Sequence, residues 1–277
     1  MQKPFLAVAI LATCSLPLSA RPSAHHARKL EFVGIGDSVT RGYGSGPGLS
    51  YFDLVTKDLK VSHPKLIVKN KSKNGSDSKA HVKQVASLPR ADRDTYGIIM
   101  VTTGGNDLMH DFGKSKPKDA ALYGATLKEA LPFVANFRGR LRHALSALSA
   151  RFPGGCDIYL CTIYDPTDGR GDLHDLDHVW PVWPDSVAVH SAYNHAIVEC
   201  SHMPHVHLVD VYRAFLGHGE HSADFKKHGY FFDNQEDLND RGQHALHDLI
   251  WPKIQAGLGG PSKAPQSPDT KSFKDDD

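Results

Sequence analysis

Apolar positions along this chain fall into short continuous runs, separated by stretches in which they recur every three or four residues. Lys29 to Gly36 (KLEFVGIG) is a compact, partly β-branched run ending in glycine, and it reads as a buried strand. Similar runs at 66–70 (LIVKN), 96–102 (YGIIMVT), 157–163 (DIYLCTI) and 206–211 (VHLVDV) bring the number of predicted strands to five. Helical spacing links Tyr51, Phe52, Val55 and Leu59, and a second set runs Phe133, Phe137, Leu141, Leu145 and Leu148. Val189, Tyr193 and Ile197 form a third stripe, and Ala245, Leu246, Leu249 and Ile250 a fourth. Pro132 fits the first turn of the second of these helices.

Strands alternating with helices predict an α/β fold: a five-stranded parallel sheet, covered on both faces and joined by right-handed crossovers. Ligands of such sheets gather beyond the carboxyl ends of the strands. Chemistry is therefore sought in GDSVTRGYGSG, KSKNGSDSK, TGGNDLMHD, YDPTDGRGDLHDLDHVWPVWP and the stretch 212–239.

Charge narrows the partners. Thirty-two basic residues nearly balance thirty-one acidic ones in 277, so neither nucleic acid nor an anionic membrane is favoured by the overall field. The first residues, MQKPFLAVAILATCSLPLSARPSA, place a lysine before an apolar run and small residues after it. That is the layout of a secretory signal over 1–24, too short for a membrane span, and it predicts export to the periplasm or the medium. Leu11-Ala12-Thr13-Cys14 resembles a lipoprotein box with Thr13 out of pattern, so a lipid anchor at Cys14 is a second expectation. The domain is expected over 29–256, and 257–277, rich in Gly, Pro, Ser and charge, reads as a disordered tail. Behind the signal remain Cys156, Cys161 and Cys200. Export permits a disulfide, and Cys156 with Cys200, both placed at the bottom edge of the sheet, is the pair expected; Cys161 reads as an inert strand residue.

Ser38 directly follows the first strand, where glycine lets the backbone turn sharply and a short side chain faces the cleft. Gly-Asp-Ser alone also makes ordinary turns, and Asp37 is read as shaping the turn. The next two strand ends offer Asn74-Gly75 and Gly104-Gly105-Asn106-Asp107. Acyl transfer from a serine needs donors aimed at a developing oxyanion, and the Ser38 N–H, the Gly75 N–H and the Asn106 amide supply them.

With these three blocks in order at consecutive strand ends, the chain resembles the SGNH, or GDSL-like, hydrolase family. GDSVT matches its serine block, Asn74-Gly75 its glycine block and GGND its asparagine block. The resemblance implies a three-layer α/β/α flavodoxin-like fold and a metal-free, cofactor-free esterase or acyl hydrolase. The fourth block departs from the pattern. The family has Asp, two residues, then His as the last helix begins; in FFDNQEDLNDRGQHAL those positions hold Asn234 and Asp237.

A serine hydroxyl needs a base to take its proton. Asp237 alone is a poor match, because a carboxylate is ordinarily a much weaker base than the serine hydroxyl requires. The loop GHGEHSADFKKHGYFF supplies His218, His221 and His228 on the same edge; His221, oriented by Asp237, is favoured, with His228 second. The rival reading is a binding protein that kept the fold and lost the Asp-x-x-His block. His174 and His178 in HDLDH have the spacing of helical zinc motifs, but glycine and proline on either side favour a loop without metal. Tyr164, Trp180 and Trp183 lie over the expected cleft, where aromatics stack on sugars or line an acyl pocket, or simply anchor the loop.

Overall fold

The five apolar runs pair into one parallel sheet. The computed structural model describes residues 29–109, 120–172, 174–175, 178–179, 181–219, 221, 231–233 and 236–259. Its strands are β1 (Lys29–Ile35), β2 (Ile67–Asn70), β3 (Thr95–Val101), β4 (Cys156–Cys161), β5 (His174–Asp175), β6 (His178–Val179) and β7 (Val206–Val209). The main sheet has the order β2-β1-β3-β4-β7, while β5 and β6 form a separate antiparallel pair. The helices are α1 (Ser38–Arg41), α2 (Tyr51–Ser62), α3 (Ser78–Ala86), α4 (Gly105–Met109), α5 (Leu127–Arg151), α6 (Ser186–Ser201), α7 (Val211–Phe215) and α8 (Asp240–Gly257).

Alternation along β1 shows why there are three layers. Leu30 and Phe32 face a core shared with Tyr51, Phe52 and Val55 of α2 and Ile250 and Ile254 of α8. Val33 and Ile35 point the other way, into a core with Val85 of α3, Phe137 and Leu141 of α5, and Tyr193 of α6. Burying both faces requires apolar residues at nearly every position, which is why the central strands read as continuous runs. β2 lies at the sheet edge, and Ile67 and Val68 stay exposed there.

Several expectations change. α5 begins at Leu127, so Pro132 lies inside the helix instead of in its first turn. The start is set by a capping box, in which Thr126 Oγ1 accepts from Glu129 N–H and the Glu129 carboxylate accepts from Thr126 N–H. α3 lacks a full apolar stripe and went unread; Asp77 caps it by accepting from Ala80 N–H at 2.9 Å. His174 and His178 belong to the two arms of an antiparallel pair, so no helical turn aligns them. Cys156, Cys161 and Cys200 are free, buried thiols, and the expected Cys156–Cys200 bridge is not formed. Burial pushes the Cys156 thiol up to about 11, which leaves it without appreciable thiolate at neutral pH. The signal segment with Cys14, together with Trp180, His228, Asn234 and 260–277, lies outside the described residues. Among the described residues no helix is long and apolar enough to cross a membrane.

Candidate active site

The chain leaves β1 for β2 on one side and returns to β3 on the other, so the loops after β1 and β3 diverge and open a crevice between them. Ser38 follows β1 and Asn106 follows β3, and both line one cavity of about 110 Å³. Its walls also carry Thr102, Tyr164, Asp165, Trp183, His190 and Glu236.

The serine turn is held by side chains that satisfy the backbone beyond the strand end. Asp37 Oδ1 accepts from Val39 N–H at 3.1 Å and from the Thr102 hydroxyl at 2.9 Å. Thr40 Oγ1 lies 2.7 Å from Thr102 Oγ1 and 2.6 Å from the Tyr51 hydroxyl, which extends the network to α2. Gly36 is required by close approach, since a Cβ there would lie 2.3 Å from Thr102 Oγ1 and 2.7 Å from Thr40 Oγ1. From α3, Gln84 accepts from Gly36 N–H at 2.9 Å and donates to Gly36 O at 2.8 Å and Ser76 Oγ at 3.1 Å. One buried amide thus ties the serine turn to the turn containing Gly75. At β4, Asn194 of α6 repeats the device: its Oδ1 accepts from Ile163 N–H at 2.8 Å and its Nδ2 donates to Ile163 O at 2.9 Å.

Burial governs the electrostatics. Asp37 is pushed up to about 6 by loss of solvent, with the charge of Asp237 adding to the rise and the bonds from Thr102 and Val39 opposing it. Glu236 rises to about 7 by burial, reinforced by Asp237 and Asp37. His190 moves the other way, because burial disfavours its charged form against the pull of Asp165. Its Nε2 lies 3.1 Å from the Tyr164 carbonyl. Beside Asn106, Asp107 is raised to about 6 by burial; it accepts from Ser78 N–H at 2.9 Å and from the Ser78 hydroxyl, which in turn accepts from Arg140 Nε–H at 2.7 Å. This buried cluster pins the start of α4, and with it Asn106, to α3 and α5.

The sequence matches the GDSL-like lipase/acylhydrolase family over residues 35–247. The chain belongs to this family. Similar solved structures include phospholipase A1 from Streptomyces albidoflavus NA297, with a TM-score of 0.58 at 16% identity, covering 82% of this chain and 100% of that one. A catalytic mutant of an acetylxylan esterase from Geobacillus stearothermophilus gives 0.54 at 16% identity, covering 86% and 97%. An extracellular lipase from Streptomyces rimosus gives 0.52 at 16% identity, covering 80% and 98%. At such identities the likeness concerns the fold. No curated protein matches the sequence. Membership in the GDSL-like family supports a hydrolase of ester bonds.

Against the four blocks of this GDSL-like family, the geometry divides the expected residues. Ser38 and Asn106 share the cavity; Gly75, with a φ of 70° that suits glycine, is in the neighbouring turn and does not line it. Tyr164 and Trp183 are both on the cavity wall. Trp183 also anchors its loop, since its indole N–H donates to Ala125 O at 2.7 Å and its ring packs on Tyr123. Tyr164 donates its hydroxyl to the carbonyl of Glu236. His221 departs from expectation: its Nε2 meets Asp172 at 2.9 Å, its backbone N–H meets Asp168 at 3.2 Å, and it is not on the cavity wall. Asp168 also accepts from Gly217 and Gly219 N–H, at 2.9 and 3.0 Å, and so holds these residues together with His221. Asp237 is buried behind the wall, with its carbonyl accepting from Asp233 N–H, and does not orient His221. His218 stacks on Phe231. Among the described residues no group of His, Cys, Asp or Glu is arranged to hold a metal ion.

Glu236 and His190 are the residues that the sequence reading passed over. Glu236 adjoins the fourth block, but the family register directs attention to Asn234 and Asp237 on either side of it. His190 belongs to the apolar stripe of α6 by spacing alone and carries no motif.

Proposed function

We propose that this protein is an exported serine esterase that cleaves small acyl or acetyl esters, including esters on carbohydrate. The reading rests on one observation: Ser38 and Asn106, from the two strand ends that flank the switch point, line the same cavity. Ser38 Oγ attacks the ester carbonyl while a base on the cavity wall takes its proton. The oxyanion is received by the Ser38 N–H and the Asn106 amide, while Gly75, in the turn that Gln84 ties to the serine turn, lies off the cavity wall. The alcohol leaves, and water releases the acyl group by the same steps in reverse.

Size and lining favour a short acyl chain. The cavity of about 110 Å³ is smaller than the roughly 150 Å³ that holds a benzene ring, and Val39, Leu108, Met109 and Ile163 make much of its wall apolar. The acetylxylan esterase among the similar structures agrees with a small acyl group. Trp183 and Tyr164 offer the faces on which an alcohol or sugar would rest. Export is proposed from the N-terminal layout, and a small ester is the only partner that the site calls for.

Hydrolysis of p-nitrophenyl acetate, hexanoate and octanoate tests this, together with fluorophosphonate labelling of wild type and Ser38→Ala. Turnover that falls with chain length, and labelling confined to the protein with Ser38, are the expected results. If neither turnover nor labelling occurs, the protein is a binding module on this fold.

A further inference from the structure

The fourth block has Asp237 where the family has histidine, yet its described residues on either side of that position are tied to one another and to Tyr164. Phe232 and Leu238 form an antiparallel bridge, and Asn239 N–H donates to Phe231 O at 3.0 Å. Tyr164 donates its hydroxyl to the carbonyl of Glu236. Three residues later Asn239 caps α8, accepting from Gly242 N–H at 3.0 Å. The segment is thereby fixed with Glu236 on the wall of the cavity that holds Ser38.

Among the described residues, other titratable groups near this cavity hold partners of their own. Asp37 Oδ1 is occupied by Val39 N–H and the Thr102 hydroxyl. Asp165 accepts from Thr167 N–H at 2.9 Å, the Thr167 hydroxyl at 2.7 Å and Gly169 N–H at 3.0 Å. His190 Nε2 is directed at the Tyr164 carbonyl, and His221 at Asp172, off the wall.

We propose that Glu236 is the general base of this site, taking the place of the missing histidine. The inference rests on the serine-esterase reading above. As Ser38 Oγ bonds to the ester carbonyl carbon, the Glu236 carboxylate takes the hydroxyl proton and the carbonyl electrons move to oxygen. Collapse of that oxyanion breaks the bond to the alcohol, which leaves with the proton returned by Glu236. Water then attacks the acyl-serine, gives a proton to Glu236, and the second collapse returns it to Ser38 Oγ. No metal or co-reactant enters the balance.

The surroundings suit a carboxylate to this task. Asp37 from the β1 turn and Asp237 on its own segment both disfavour its charge, and burial does so most, raising Glu236 to about 7. A base works best when its pKa lies near the working pH. Among the described residues, Tyr164 and Asp165 beyond β4, Cys161 of β4, Tyr123 before α5 and His190 of α6 are the remaining titratable groups on the wall.

The test is kcat/KM against pH for wild type, Glu236→Gln, Glu236→Asp, His190→Gln and Ser38→Ala, with fluorophosphonate labelling rates as a measure that needs no turnover. Wild type should gain activity as pH rises through about 7. Glu236→Gln, nearly isosteric, should melt no lower than wild type at pH 8, lose about 10²- to 10⁴-fold in kcat/KM, and lose the pH limb. Glu236→Asp should keep the limb at reduced rate. If Glu236→Gln stays within threefold of wild type with the limb intact while Ser38→Ala is inactive, the base is elsewhere and the esterase reading survives. Loss of the limb in His190→Gln alone would transfer the role to His190. Wild-type labelling that is flat between pH 5.5 and 8.5 overturns the inference whatever the variants do. If Ser38→Ala is as active as wild type, the esterase reading falls with it.

Discussion

Replacing Gln84 with leucine should damage both stability and catalysis, although Gln84 does not line the cavity. Its side chain is 7% exposed and makes three hydrogen bonds, two to the peptide groups of Gly36 and one to Ser76. Leucine fills similar space without a donor or acceptor. Gly36 O keeps the Lys73 N–H at 3.2 Å, but Gly36 N–H loses the acceptor it has at 2.9 Å. Stranding a buried donor costs about 1 to 3 kcal/mol and each of the two further lost bonds about 1, so the sum is about 3 to 5 kcal/mol. Because Ser38 is two residues beyond Gly36, the turn should also shift. A displacement of about 1 Å costs on the order of 100-fold in rate, so kcat should fall about 10- to 100-fold with KM little changed. Urea titration at pH 7 reads the stability, and short-chain ester turnover reads the rate. A change below about 0.5 kcal/mol with wild-type kcat would refute the claim that this amide supports the serine turn.

Asn106→Ala should lower kcat about 10²- to 10³-fold, equivalent to about 2.7 to 4 kcal/mol, with KM within a few-fold; a loss below threefold would remove the amide from the oxyanion site. Asp37→Asn reports on the buried acid. Burial raises Asp37 from 3.8 to about 6, so the fold favours its protonated form; that stabilisation is complete below pH 4 and disappears as pH rises through 6. Two units correspond to about 3 kcal/mol, and asparagine keeps an acceptor for Val39 N–H and Thr102. Asp37→Asn should therefore match wild type at pH 4 and exceed it by about 1 to 3 kcal/mol at pH 8; equal urea midpoints at both pH values would contradict the shift.

The strands were legible because burial on both faces leaves little room for polar residues, so their positions stand out as runs. Ser38 and Asn106 were legible for a related reason: each directly follows a central strand, and strand ends fix where short loops begin. α3 was not legible, because what holds it is a cap from Asp77 and polar contacts of Ser78, His81 and Gln84, and none of these makes an apolar stripe. The start of α5 differs from the position that Pro132 suggests, because the Thr126–Glu129 capping box satisfies the terminal N–H groups a turn and a half earlier.

The proposed base, Glu236, was the hardest element to read. Eighteen histidines gave too many choices, and family spacing drew attention to Asp237 and the loop around His221. Only the folded chain shows His221 held by Asp168 and Asp172, and Glu236 placed on the cavity wall between the bridge and the cap. By itself, the sequence determined the alternating elements, the parallel sheet and the two strand-end residues at its centre, because these depend on local burial and on chain order. Tertiary structure decided which residues from loops far apart in the chain share the cavity with the serine, because that depends on a few ångströms of spacing set by packing.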